Sequence, residues 1–491
     1  MGRTIKPGIM DQAFLMMEST DCPAHVAGLQ IFALPADYEG DYFADLMLAL
    51  SRQTPDRPFN LRLRPRGILP GLPLWQEVNF DFEYHVRRIA VPGPGHMAQL
   101  LELVERIHSR VLDRRYPLWE TYLIEGLEGG RFAMYSKMHH ACLDGMASIA
   151  LLDRIFSPDP ADRQPVAPWS TGRSGRKKKE KPARGLQLLK QPPRIMRNSL
   201  RIAAEVAGFA MDTRRRLRQD DDGVVALPFT APPTLMNVPV TARRSCAVCS
   251  VPMEEVRQIC AAENVTVNDV VMTLCAGALR DFLLDRNALP EESLLATLPV
   301  SLRRDGGSNN GNQLAFVLCR LATDLRDPLR RLHAVHASMV EAKGMMEPLS
   351  RTTAMGLTLA LDGFFLAANQ LNRVADRVPP MANLVITSLP GPAESLYWNG
   401  ARLLSNFPMS VLMDGAALNM TAVSYDGRLD FGIIACRRAI PDTDKLAAAL
   451  VRALGDLRGA VSRNQKMAYG AGVPPENPAK VPVGETIGAS R

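Results

Sequence analysis

No apolar run of the length a secretory signal needs follows the basic residues of MGRTIKPGIMDQAF, so export is not expected. Lys6 stands where N-myristoylation wants Ser or Thr, which argues against a lipid anchor on Gly2. The least polar stretch of about membrane-spanning length, Ala354 to Leu371, carries Asp362 at its middle and Asn369 and Gln370 near its end. A charge at that depth costs about 2.5 kcal/mol or more, so the stretch reads as a buried or interfacial helix. The eight cysteines (22, 142, 246, 249, 260, 275, 319 and 436) are scattered, which suits a reducing cytoplasm better than a disulfide framework. Cys246 and Cys249 form a CxxC, but no second pair lies at zinc-finger spacing. RRSCAVCSVP around them reads as a strand, so no metal or redox role is expected. No short-period repeat is visible.

What is present is a chain of 491 residues, about three times the common domain size of roughly 150, which predicts two domains. Hydrophobic residues at 46% and charged residues at 22% describe a folded protein rather than a disordered one. The net charge of +7 is local: residues 173–218 hold 15 Lys plus Arg against 3 acids, leaving the remainder at about −5. That region opens on SPDPADRQPVAPWSTGRSGRKKKEKPARG, a linker composition, and then becomes amphipathic, with Ile195, Ile202, Val206 and Phe209 at helical spacing and Arg194, Arg197 and Arg201 elsewhere around the helix. Two readings stay open, a basic helix on an anionic membrane and a solvated linker helix packed across the domain junction. No stacking aromatics are interleaved with the charges, so nucleic acid is not an expected partner.

Strands and helices alternate before the linker. LQIFAL (Leu29 to Leu34) and RFAMYSKMHH (Arg131 to His140) read as strands, and residues 42–52 and 97–110 as helices. After it, Val267, Val270, Val271, Leu274 and Ala278 mark a helix face, while NLVITSLPG and ARLLSNFPM read as strands. The expected fold class is α/β, as α+β layers, in units 1–156 and 226–462, with a linker over 157–225 and a disordered tail over 463–491.

The chemistry is carried by HHACLDG (His139 to Gly145). Alternation along the preceding strand puts Phe132, Met134, Ser136, Met138 and His140 on one face and Ala133, Tyr135, Lys137 and His139 on the other, so the two imidazoles diverge. Asp144 is placed to cap the helix that follows. Transfer of an acyl group from a thioester to a hydroxyl needs a group that takes the hydroxyl proton as oxygen attacks, and a neutral imidazole suits that near pH 7. His140 is the expected base and His139 its support. No Ser or Cys nucleophile is required. The competing reading is two histidines satisfied in a core turn.

HHACLDG resembles the HHxxxDG motif of chloramphenicol acetyltransferase-like acyltransferases, plant BAHD acyltransferases and peptide-synthetase condensation domains. The wider chain, from about Met10 to Leu457, is most similar to the bacterial wax ester synthase/acyl-CoA:diacylglycerol acyltransferase family. PLWE (Pro117 to Glu120), FTAPPTLMN (Phe229 to Asn237), VNDVV (Val267 to Val271), PVSLR (Pro299 to Arg303), GNQ (Gly311 to Gln313), SLPGP (Ser388 to Pro392) and SYDGRLDFG (Ser424 to Gly432) carry the resemblance in that order. It implies two chloramphenicol acetyltransferase-like subdomains with a tunnel between them and His140 midway. Acyl-CoA would be co-substrate, with no cofactor and no metal, and diacylglycerol or a fatty alcohol the acceptor. Another hydroxyl lipid or a polyketide as acceptor, or a non-catalytic lipid-droplet-binding homologue, are the alternatives. The expected location is cytoplasmic, peripheral to the membrane or to lipid droplets, with a homodimer left open.

Further residues take expected roles. Asn268, in the first turn of a helix capped by Thr266, is a candidate oxyanion donor, against a reading in which Asn268 and Asp269 only cap the helix. Arg303 resembles the arginine that pairs with the motif aspartate in related folds, so Asp144, Gly145, Asp269 and Arg303 are read as structural support. Pro117, Leu118 and Trp119 are read as tunnel wall or plain core, and Gly311 and Asn312 as part of a ligand entrance. Ser388 stands where the family more often has Asn.

Overall fold

A computed structural model describes residues 4–64, 73–143, 145–170, 223–301, 314–350 and 379–470, with isolated residues within 205–220 and 353–360. The first half contains β1 (Thr4–Ile5), α1 (Ile9–Met17), β2 (His25–Ala33), α2 (Tyr42–Ser51), β3 (Leu61–Leu63), β4 (Trp75–Glu77), α3 (Phe82–His85), β5 (Val86–Ala90), α4 (Met97–His108), β6 (Trp119–Leu127), β7 (Arg131–His139) and α5 (Gly145–Ile155). The second contains β8 (Arg244–Pro252), α6 (Met253–Glu263), α7 (Val267–Leu284), β9 (Leu295–Ser301), β10 (Leu314–Arg320), α8 (Pro328–Met346), β11 (Leu384–Leu389), β12 (Tyr397–Trp398), β13 (Ala401–Met409), β14 (Leu418–Tyr425), β15 (Arg428–Cys436) and α9 (Thr443–Gly470).

Local chemistry explains the boundaries that matter. Asp41 accepts the amides of Phe43 and Ala44 to start α2, and Thr266 and Asp269 form a reciprocal capping box on α7. Asp327 caps α8, with Pro328 in the first turn where its missing N–H is no loss. In β7 the alternation read from sequence is realised. Phe132, Met134 and Met138 enter one core and Ala133 and Tyr135 the other. Cys246 and Cys249 likewise face different cores from β8, so the CxxC is a strand whose thiols diverge.

Two six-stranded mixed sheets form the frame, in the orders β12-β13-β2-β7-β6-β5 and β10-β9-β11-β14-β15-β8, beside a small sheet β1-β4-β3. The division expected at 226 does not follow the sheets. β12 and β13 leave the second half and complete the first sheet, with β13 antiparallel to β2 from Arg402 opposite Ala33 to Met409 opposite Ala27. The junction is tight. Gly432 of β15 lies against β13 so closely that a Cβ there would fall 1.6 Å from the Pro408 carbonyl oxygen. Beside it, the buried Asp430 carboxylate accepts the Asn406 amide at 2.7 Å and the Ser250 hydroxyl at 2.5 Å.

The expected linker also departs from its composition. Ala167 and Trp169 are fully buried in the first core, and Ser157 exchanges backbone hydrogen bonds with Tyr397. Burial of the Trp169 indole outweighs the Pro content around it. Described residues between 205 and 218 are helical, and Arg216 is held by Asp212 and by Glu341 of α8 at 2.6 and 2.7 Å. That end of the basic region therefore packs on the second half, while Arg214, Arg215 and Arg218 are exposed. α9 continues to Gly470, so the expected boundary at 462 is too early. The rest of the basic segment, the core of Ala354 to Leu371 and the final residues lie outside the described residues.

Candidate active site

β7 sits between β2 and β6 in its sheet, and its C-terminal end delivers the two histidines. The His139 amide bonds the Leu118 carbonyl at 2.9 Å and the His140 amide bonds the Ala24 carbonyl at 2.9 Å, one to each side. Lys137, 1% exposed, anchors the strand from behind. Its ammonium donates to the Ile107 and Arg110 carbonyls at 3.1 and 2.9 Å, at the C-terminus of α4, with Glu120 3.6 Å away. A cation is favoured against a helix C-terminus. Burial nonetheless pulls the Lys137 pKa down, with Glu120 opposing.

The two imidazoles diverge as expected. His139 is fully buried, and its Nδ1 accepts the Ala141 amide at 3.0 Å, so the proton of the neutral ring resides on Nε2, which faces Glu18 Oε1 at 3.5 Å. Burial first, then the charge of Arg114 and the neighbouring His140, push its pKa down to about 3, so the ring is neutral at ordinary pH. His140 turns the other way. Its ring lies on Phe14 of α1, with centroids 4.0 Å apart and planes 16° apart, and the residue keeps 9% of its surface exposed.

After the turn, α5 begins at Gly145, where a Cβ would stand 3.0 Å from Leu389 Cδ1 at the end of β11. The histidine turn thus abuts the second sheet. α7 also touches β11, and Asn268 and Asp269 lie in its first turn. Asp269 is committed to structure, since its Oδ2 accepts the Thr266 amide and hydroxyl and pairs with His336 Nδ1 at 2.8 Å. Asn268 is half-buried beside it.

PLWE divides across the sheet. Leu118 packs with Phe14, Leu15 and Ala141 on the histidine side. Trp119 points into the aromatic core, where its indole donates to the Phe59 carbonyl at 2.8 Å and stacks on His85 at 4.3 Å. Pro117 is buried and bridges Arg62. In SLPGP, Gly391 meets a close backbone approach, because a Cβ would lie 2.2 Å from the Ser424 carbonyl oxygen. Asp144, Arg303, Gly311 and Asn312 lie outside the described residues. Two cavities lined by described residues, about 350 and 130 Å³, lie beside residues 205–225.

Phe14, Glu18, Arg114 and Lys137 were not singled out from the sequence. Glu18 and Arg114 stand 96 residues apart, so no local pattern links them.

The model of the wax ester synthase/diacylglycerol acyltransferase catalytic domain matches residues 8–271, and that of the WS/DGAT C-terminal domain matches residues 310–458. The chain belongs to this family. Among relatives, O-acyltransferase WSD of Acinetobacter baylyi is 34% identical, over 93% of this chain and 97% of that protein. A Mycobacterium tuberculosis protein whose name assigns it, provisionally, diacylglycerol O-acyltransferase activity is 40% identical, over 92% of this chain and 99% of its own length. The structure of a wax ester synthase/diacylglycerol acyltransferase from Marinobacter aquaeolei superposes with a TM-score of 0.71 at 32% identity, covering 93% of this chain and all of that one. The first condensation domain of the CDA synthetase shares the fold alone, with a TM-score of 0.57 at 15% identity. The family and the mixed α/β fold expected from HHACLDG and its companion segments are therefore those observed.

Proposed function

We propose that this chain moves a long-chain acyl group from acyl-CoA to the hydroxyl of diacylglycerol or a long-chain alcohol, with His140 as general base. The observation that carries the reading is the place of His140: a scarcely exposed imidazole on a strand end that abuts the second sheet, held flat by Phe14 and fixed through its own amide. Family membership supports the reaction class, and the place of His140 supports reading it as the base.

The acceptor hydroxyl gives its proton to His140 as its oxygen attacks the thioester carbonyl. The oxyanion formed meets a donor from the α7 N-terminus, for which Asn268 is the candidate, and collapse expels the coenzyme A thiolate, which takes the proton from the imidazolium. Direct attack fits the local thiol chemistry. Cys142, the one cysteine beside the histidines, is pushed far above the ordinary thiol range by burial and by Asp11 and Glu18, so it is a poor nucleophile for an acyl-enzyme. Peripheral attachment to membrane or droplet belongs to the same proposal. Among the described residues no helix is long and apolar enough to cross a membrane, and the exposed arginines near 214–218 suit an anionic surface.

Purified protein given palmitoyl-CoA and either dipalmitoylglycerol or hexadecanol should release free thiol faster than with palmitoyl-CoA alone. Release at the background rate with both acceptors would remove the proposed substrate class.

A further inference from the structure

Near His140 one carboxylate accepts the Ala24 amide, is clamped by Arg114 and faces His139. We propose that Glu18, clamped by Arg114, is the positioning residue of the site, selecting the His139 tautomer that shapes the histidine turn and docking α1 so that Phe14 backs the His140 imidazole. The proposal rests on His140 as the base.

Glu18 follows the last turn of α1, and its side chain is only 4% exposed. Oε2 takes a two-pronged bond from Arg114, Nε at 3.0 Å and Nη2 at 2.9 Å, and the same Nη2 bonds the Leu15 carbonyl at 2.7 Å. A planar guanidinium fork fixes orientation as well as charge, so Arg114 locks the end of α1 against the connection between α4 and β6. Phe14, one residue before Leu15, is thereby set on the His140 ring.

The other oxygen serves the opposite side. Oε1 accepts the Ala24 amide at 3.3 Å, and the carbonyl of that same Ala24 receives the His140 amide at 2.9 Å. It also faces His139 Nε2 at 3.5 Å. A carboxylate there favours the tautomer carrying hydrogen on Nε2, which leaves Nδ1 a lone pair for the Ala141 amide. The opposite tautomer would point two N–H groups at each other and open the turn that follows His140.

Glu18→Gln, Arg114→Gln and Arg114→Lys should separate positioning from mere support. In Glu18→Gln, kcat is expected to fall roughly 10- to 100-fold while KM for acyl-CoA stays within about twofold, because the lost geometry concerns the reacting atoms. Nitrogen-15 NMR of histidine-labelled protein should show His139 protonated on Nε2 alone in the natural protein and as a tautomer mixture in Glu18→Gln. Arg114→Lys, which keeps charge without the fork, should restore only part of the kcat lost in Arg114→Gln. A His139 proton on Nδ1 in the natural protein, or an unchanged tautomer and kcat in Glu18→Gln, overturns the proposal. So does a kcat loss matched by an equal loss of folded protein in thermal melts. Failure of the base assignment would look different: His140→Ala would then stay active whatever Glu18 does.

Discussion

Acidification from about pH 7.5 to about pH 5.5 should weaken the first half strongly, because buried imidazoles there resist protonation, His25, His108 and His139 most and His85 less. His25, His108 and His139 are 1%, 2% and 0% exposed. Burial is the leading cause for each. It holds His108 and His139 at about 3 and His25 well below 6.5, reinforced by Arg244 on His108, by Arg114 on His139 and by the neighbouring His108 on His25. An unfolded histidine titrates near 6.5, so below that value the unfolded chain binds protons the folded chain refuses. Stability is then present above about 6.5 and is lost as pH falls toward 3, by about 1.4 kcal/mol per pH unit for each ring. Over the two units named, the three rings together amount to about 4 kcal/mol. Carboxylates such as the buried Asp430 and the half-buried Glu105, raised by desolvation, act in the opposite sense, so single-histidine variants carry the test. The fluorescence of the four tryptophans reports the right region, since Trp75, Trp119, Trp169 and Trp398 all pack in the cores of the first sheet and its small companion. Urea midpoints followed by that signal should drop on acidification, and His108→Gln should flatten the drop by up to about a third. Equal midpoints at both pH values, or a slope unchanged in His108→Gln, would refute the reasoning.

Asn268→Ala should lower kcat about 100-fold, near 3 kcal/mol, with KM little changed if Asn268 meets the oxyanion. Thermal melts of the same variant should stay level, whereas Asp269→Ala should lower the melting temperature by stranding Thr266 and His336. Gly432→Ala should abolish soluble folded protein, because the new methyl would sit 1.6 Å from the Pro408 carbonyl oxygen at the sheet junction. Gly455→Ala, on the exposed side of α9 with open space around it, should instead raise stability by about 1 kcal/mol in the same melts.

Local patterns made some parts of this molecule legible and left others silent. RRSCAVCSVP and ARLLSNFPM correspond closely to β8 and β13, because alternation and β-branched residues are properties of neighbours in sequence. Which sheet β13 joins is set by pairing with β2, hundreds of residues away, and no local pattern encodes that. Composition misled over 157–170, where Pro and Ser argue for a linker but Trp169 fills a core. The same split runs through the site. His139 and His140 are readable from HHACLDG, since adjacent residues on a strand must diverge. Glu18 and Arg114 come together only when α1 and the stretch before β6 fold onto one another, and the fate of Trp119 depended on Phe59 and His85 beside it.

The central claim is that one imidazole, at position 140, takes the proton of the acceptor hydroxyl. Its most direct test is free-thiol release by His140→Ala from palmitoyl-CoA in the presence of the better acceptor, with urea midpoints measured on the same preparation. A loss of about 10²- to 10⁴-fold in kcat with an essentially unchanged midpoint is expected. Full activity in a folded His140→Ala protein would contradict it.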